Sequence, residues 1–72
     1  MEEIIKKEII NQLVDSEVLV EGGESKFTVH VKSDSFLGKT IIEQHKMIYA
    51  ILNKYIETGE IHALTLKTKP KT

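Results

Sequence analysis

The stretch from Thr40 to Glu57, TIIEQHKMIYAILNKYIE, is the longest periodic segment of the chain, and any fold must give it something to lie on. Ile41, His45, Ile48, Leu52, Tyr55 and Ile56 recur at three- and four-residue steps, the spacing of one helix face, with Ile42 and Tyr49 at its margin. Glu43, Lys46, Asn53, Lys54 and Glu57 keep the other side wet. Thr40 followed three residues later by Glu43 has capping-box spacing, in which hydroxyl and carboxylate each satisfy an orphan backbone donor. Gly59 is placed to stop the helix in the left-handed conformation. A helix of this kind is stable chiefly through what it packs on, so the remaining residues must build that surface.

They do so in order. Residues 2 to 14 read as a first helix, with Ile5, Ile9 and Leu13 as its stripe and Ile10 and Val14 beside it. Two β-rich runs follow, Glu17–Glu21 and Lys26–Lys32. The second alternates strictly, Phe27, Val29 and Val31 on one face and Thr28, His30 and Lys32 on the other. A two-residue turn at Gly22–Gly23 suits a hairpin and pairs Val20 with Ser25 and Val18 with Phe27, so that Val18, Val20, Val29 and Val31 share the face of Phe27. A five-residue loop pairing Val20 with Lys26 breaks that agreement. Ser33–Lys39 is a connector with one apolar anchor, Phe36. Ile61–Lys67 reads as a third strand, Leu64 and Leu66 facing the core with His62 in phase, and residues 67–72 read as a polar, frayed tail.

The predicted order is thus α-β-β-α-β in a single domain spanning residues 1–72. A strand–helix–strand unit makes strands two and three parallel with a right-handed crossover, and both helices then cover one face of the sheet. The fold class is α+β, a two-layer sandwich with a three-stranded mixed sheet. Parallel strands start at the same end of a sheet, so the hairpin tip and His62 are expected close together in space.

Composition now excludes several functions. The chain has no cysteine, hence no thiolate ligand, nucleophile or disulfide, which fits a reducing, cytoplasmic setting. The first residues carry acids and lysines through their apolar positions, so neither a leader nor a membrane span is expected there. Net charge is −1 and all ten basic residues are lysine, which argues against a general nucleic-acid binder and removes the arginine fork that reads phosphates and guanines. No serine–histidine–acid spacing, zinc-protease helix or phosphate-cradling glycine loop occurs, and so small a chain leaves little room for a closed pocket. Enzyme is the weakest class.

Three histidines are the side chains placed to titrate near neutrality. His45 sits in the helix stripe and reads as a buried, hydrogen-bonded core residue. His30 falls on the polar sheet face and reads as a solvated strand residue. His62 opens a strand beside a turn and beside the hairpin tip, and is the candidate ligand.

FLGKTIIEQHKMIYAIL followed by GEIHALTLKT closely resembles the BolA family. Phe36, Gly38, Lys39, Thr40, His45, Tyr49, Leu52, Ile61, His62, Ala63, Lys67 and Thr68 all match its pattern, and EVLVEGGESKFTVHVKS lines up with its hairpin without a gap. The resemblance implies a fold similar to class II KH domains, and a partner, a monothiol glutaredoxin, in iron–sulfur cluster trafficking and iron homeostasis. It implies a [2Fe–2S] cluster shared with glutaredoxin and glutathione, with His62 as this chain's ligand; alone, the chain is expected to be a monomer or weak dimer. The family's second, loop ligand aligns here with Lys26, whose ammonium has no lone pair for a metal. Glu24 and Ser25 offer only hard oxygens, so both a cluster held through His62 alone and a cluster-free complex stay open. The family's C-terminal helix is reduced to KTKPKT. Some members are described as transcriptional regulators, which gives the alternative reading: a KH-like nucleic-acid binder using Gly38, Lys39 and Lys67. Of that clamp's two glycines only Gly38 is present. A regulatory module binding another protein through the sheet face, without metal, is the third reading.

Overall fold

The expected element order is the observed one. The computed structural model describes residues 1–71, which form α1 (Glu2–Gln12), β1 (Glu17–Gly23), β2 (Lys26–Lys32), a 3₁₀ turn (Asp34–Phe36), α2 (Ile41–Glu57) and β3 (Ala63–Lys69). The sheet order is β1-β2-β3, with β1 antiparallel and β3 parallel to the central β2. Ile5 and Ile9 of α1 and Ile48 and Leu52 of α2 join Phe27, Val29, Val31 and Leu66 in one core, with Phe36 and Ile61 also buried. One core means that both helices lie on one sheet face. No helix among the described residues covers the other face, which carries Leu19, His30 and Lys67. No helix among the described residues is long and apolar enough to cross a membrane.

The capping box at Thr40 forms as expected: the Thr40 N–H donates to Glu43 Oε1 (2.8 Å) and the Glu43 N–H to Thr40 Oγ1 (3.2 Å). Gly59, at φ +83°, follows the helix end. The buried face of α2, however, is turned toward Gln44, Met47 and Ile51 and away from the side expected. Ile41, Ile42 and Tyr49 are exposed, and Gln44 is only 3% exposed. The first helix is also shorter than expected. Leu13 leaves the helical conformation (φ −125°, ψ 80°), because Asp15 is drawn across to Ser33 and Asp34, and Val14 is left in solvent.

The hairpin register is corrected more substantially. Val18 pairs with Val31, Val20 with Val29 and Gly22 with Phe27, so β1 is slid four residues from the expected pairing, and the turn is Glu24–Ser25 rather than Gly22–Gly23. Side-chain alternation has a period of two, so a slide of four leaves every residue on the same face. The observed register puts β-branched valines opposite one another and pairs the whole of β2. Its cost falls on the turn, where Glu24 (φ 52°) and Ser25 (φ 68°) are left-handed without being glycine, about 1–2 kcal/mol each.

The third strand is displaced too. It runs Ala63–Lys69, two residues beyond the expected span, so Lys67, Thr68 and Lys69 are paired with His30, Val31 and Lys32 and do not belong to a frayed tail. Residues 61 and 62 are held before the strand, Ile61 N–H donating to Tyr55 O (3.1 Å). Thr72, the end of the expected tail, lies outside the described residues.

Candidate functional site

Parallel pairing of β2 and β3 brings the start of β3 to the tip of the hairpin, and the backbone closes the contact. Ser25 O accepts from the N–H groups of both His62 (2.6 Å) and Ala63 (3.1 Å). On the other side, Ile61 is buried in the core. His62 is therefore fixed at its backbone by an apolar anchor before it and a doubly bonded carbonyl beside it. Its side chain is exposed and makes no hydrogen bond among the described residues, which leaves the imidazole lone pair free for an external electrophile.

The donor set around it is small. Lys26, exposed, lies opposite Ala63 in the β2–β3 register and brings a cation where a second ligand would be needed. Among the described residues no group of three or more histidine, cysteine or acidic side chains could hold a metal ion. The site offers one exposed imidazole as a donor. It does not make a self-contained metal site.

The other two histidines lie elsewhere. His30 is on the open sheet face, half-buried, with Nε2 2.7 Å from Glu21 Oε1, so it is paired across the strands rather than simply solvated. His45 is half-buried at the margin of α2 and has no hydrogen-bond partner among the described residues, contrary to the expectation of a bonded core histidine. Gln44 takes that part. Its Nε2 donates to Lys39 O (2.9 Å) and its Oε1 accepts from the Thr68 hydroxyl (2.7 Å), tying the turn before α2 to β3. The signal was in the sequence: Gln44 stands four and eight residues before Ile48 and Leu52, on their face of the helix.

Gly38 (φ +75°) and Lys39 sit on that turn. Lys67 is on β3, beside His30 in register and next to Thr68, which Gln44 links to Lys39 O. The loop containing Gly38 and Lys39 is braced from below. Ser33, fully buried, donates its hydroxyl to Asp15 Oδ1 (3.0 Å), and Asp34 N–H donates to Asp15 Oδ2 (2.9 Å). Burial pushes the Asp15 carboxyl up, but the Asp34 N–H and Ser33 hydroxyl outweigh it and hold the group below its usual range. Between the helices, Lys54 and the Tyr55 hydroxyl both bond Glu8, and these hydrogen bonds, Lys54 first, lower the Glu8 carboxyl.

A family model described as BolA-like protein matches residues 3–72. A BolA-like protein of Dictyostelium discoideum is 38% identical over 68 residues, covering 94% of this chain and 59% of the relative. The DNA-binding transcriptional regulator BolA of Escherichia coli is 43% identical over 47 residues, 65% of this chain and 44% of that one. This chain therefore spans only about half of those two proteins. Among solved structures, the BolA domain of SufE1 from Arabidopsis thaliana superposes with a TM-score of 0.87 at 28% identity, covering 97% of this chain and 91% of the domain. A bolA protein homologue from Coxiella burnetii gives 0.84 at 32% identity, covering 99% and 91%.

Proposed function

This chain belongs to the BolA family, and from that premise we propose that it is a non-enzymatic, cytoplasmic adaptor. It docks on a monothiol glutaredoxin and takes part in iron–sulfur cluster trafficking, with His62 as its only ligand to the cargo. The observation that carries this reading is the free imidazole of His62, exposed on a backbone that Ile61 and Ser25 hold in place. An imidazole on one iron of a [2Fe–2S] centre is established chemistry and raises its potential relative to thiolate alone. The remaining ligands would come from the partner and glutathione, since Lys26 cannot donate. The match to a BolA domain carried by a SufE-type protein supports the same direction.

Anaerobic reconstitution of the full chain with a monothiol glutaredoxin and glutathione tests the reading through visible absorption and circular dichroism. A heterodimer whose spectrum differs from that of the glutaredoxin homodimer is expected, and His62→Ala should return the homodimer spectrum. A complex that forms without a cluster and is indifferent to His62→Ala would remove the ligand role and leave a cluster-free adaptor.

A nucleic-acid-binding regulator is the second reading, favoured by the name of the Escherichia coli relative and by Gly38 on an open turn beside Lys39. Its signature would be a gel shift that weakens steeply with salt and on Lys39→Glu.

A further inference from the structure

The sheet ends in β1 on one side and β3 on the other. The ladder fixes which main-chain groups of β3 face outward. Ser25 O accepts the Ala63 N–H, and Lys69 O accepts the Ser33 N–H. Alternate residues of a strand bond the same neighbour, so Ala63, Thr65, Lys67 and Lys69 turn their main-chain groups toward β2. Leu64, Leu66 and Thr68 turn theirs away, and none of those N–H or C=O groups has a partner among the described residues. The β1 edge is less regular, because Gly22 at φ +116° leaves the extended conformation.

Beside the β3 edge, α2 has an uncovered flank. Ile41 and His45 line an open cleft of about 460 Å³ together with Leu66 and Thr68. Tyr49, four residues beyond His45, and Ile42 continue that flank. Ile41 is 57%, Ile42 68% and Tyr49 42% exposed. An unpaired strand edge and an apolar helix flank thus lie side by side.

We propose that a second copy of this chain pairs along β3, antiparallel about a twofold axis centred on Leu66. In an antiparallel ladder, facing residues exchange both main-chain bonds, and here they must be the outward-facing ones. Three registers bring such residues together, and two of them fail. A centre at Thr65 sets Thr68 opposite His62, whose N–H is already bonded to Ser25 O. A centre at Lys67 sets Leu64 opposite Pro70, which has no N–H, and sets Lys67 directly opposite its own copy. The Leu66 centre pairs Leu66 with Leu66 and Leu64 with Thr68, so all three outward residues of each copy are bonded. On the open face it sets Lys67 opposite Thr65 and Lys69 opposite Ala63, and no two lysines face each other. On the helix side, Leu66 of each copy enters the other's cleft, and the two α2 flanks lie on either side of the axis. A seven-residue strand and one helix flank make an interface below the roughly 1,200 Å² of stable complexes, so the dimer is weak and reversible. The proposal does not depend on the role of His62.

Sedimentation equilibrium of the full chain from about 10 µM to 1 mM tests it, the range suited to so small an interface. The mass is expected to rise with concentration from that of one chain toward that of two. Added salt should strengthen the dimer, because Lys67 is diagonal to its own copy across the axis and salt screens that repulsion. Thr65 is exposed and meets Lys67 of the other copy twice. Thr65→Glu is therefore expected to tighten the dimer, and Thr65→Lys to weaken it, by about fivefold each. Ile41→Glu should weaken it by a similar factor, with circular dichroism checking the fold of each variant. His62→Ala should leave it unchanged. A single chain at every concentration overturns the proposal and leaves the edge to an extended segment of another protein. A dimer weakened by salt, or indifferent to the charge at Thr65, also overturns it, because the copies would then meet elsewhere.

Discussion

Gly22 and Gly23 are adjacent in sequence, and the structure assigns them opposite tolerances. Gly22 has φ +116°, and a Cβ built on it would lie 2.2 Å from Lys26 O and 3.1 Å from the Phe27 Cα. Gly23 has no atom within 4 Å of such a Cβ and no positive φ. Gly22→Ala thus forces a side chain into a conformation that costs about 1–3 kcal/mol and adds a collision with backbone, which cannot swing aside. A total near 3 kcal/mol is a large share of the roughly 4–11 kcal/mol expected for a domain of this length. It should lower the melting temperature by roughly 12–24 °C. Gly23→Ala should raise stability, by up to about 1 kcal/mol, since a compatible site lowers the unfolded-state entropy at no native cost. Thermal melts and urea titrations of the two variants read the difference. If the turn were Gly22–Gly23, both residues would carry the positive φ of a tight hairpin and both substitutions would cost alike. Equal losses would therefore refute the observed register.

Three further outcomes are expected. Gln44→Ala strips Lys39 O and the Thr68 hydroxyl of their partner, and should cost about 2 kcal/mol in urea unfolding, most of it absent in a Thr68→Val background if the network acts as a unit. Glu24→Asn with Ser25→Gly supplies the residues that a left-handed turn prefers and should raise stability by about 1 kcal/mol, seen as a higher denaturation midpoint. For Glu8, the folded carboxyl titrates below its ordinary 4.5, so its contribution is complete above that pH and is lost as pH falls through the lower folded value. Denaturation midpoints between neutral and acid pH should fall less steeply in Glu8→Gln, and an unchanged slope would mean that the Lys54 and Tyr55 bonds do not persist in solution.

Local patterns carried the elements, and the alternation of Phe27, Val29 and Val31 carried the face of the sheet. What they did not carry is instructive. A period of two fixes on which side each residue lies but is blind to an even slide, and the slide was four. The helix stripe was read by hydrophobicity alone, which put His45 inside, whereas two hydrogen bonds make Gln44 the cheaper residue to bury. Neither partner of Gln44 is near it in the apolar pattern: one is a backbone carbonyl, the other a threonine of the last strand. The placement of His62, by contrast, followed from topology. Parallel strands share a starting end, and no register error could move the tip away from it.

The misplaced turn and the correctly placed histidine are connected. Two glycines invite a turn at their own position, yet Gly22 is used instead for close approach, because only a residue without Cβ fits against Lys26 O. That moves the turn onto Glu24 and Ser25, which are left-handed at an energetic cost. In this arrangement Ser25 stands outside the β1–β2 ladder, and its carbonyl is free to accept both the His62 and Ala63 N–H groups. In the expected register Ser25 would have been a paired strand residue opposite Val20. The strain at the tip is therefore coupled to the clamp on His62, and the turn that is less favourable locally is the one that positions the candidate ligand.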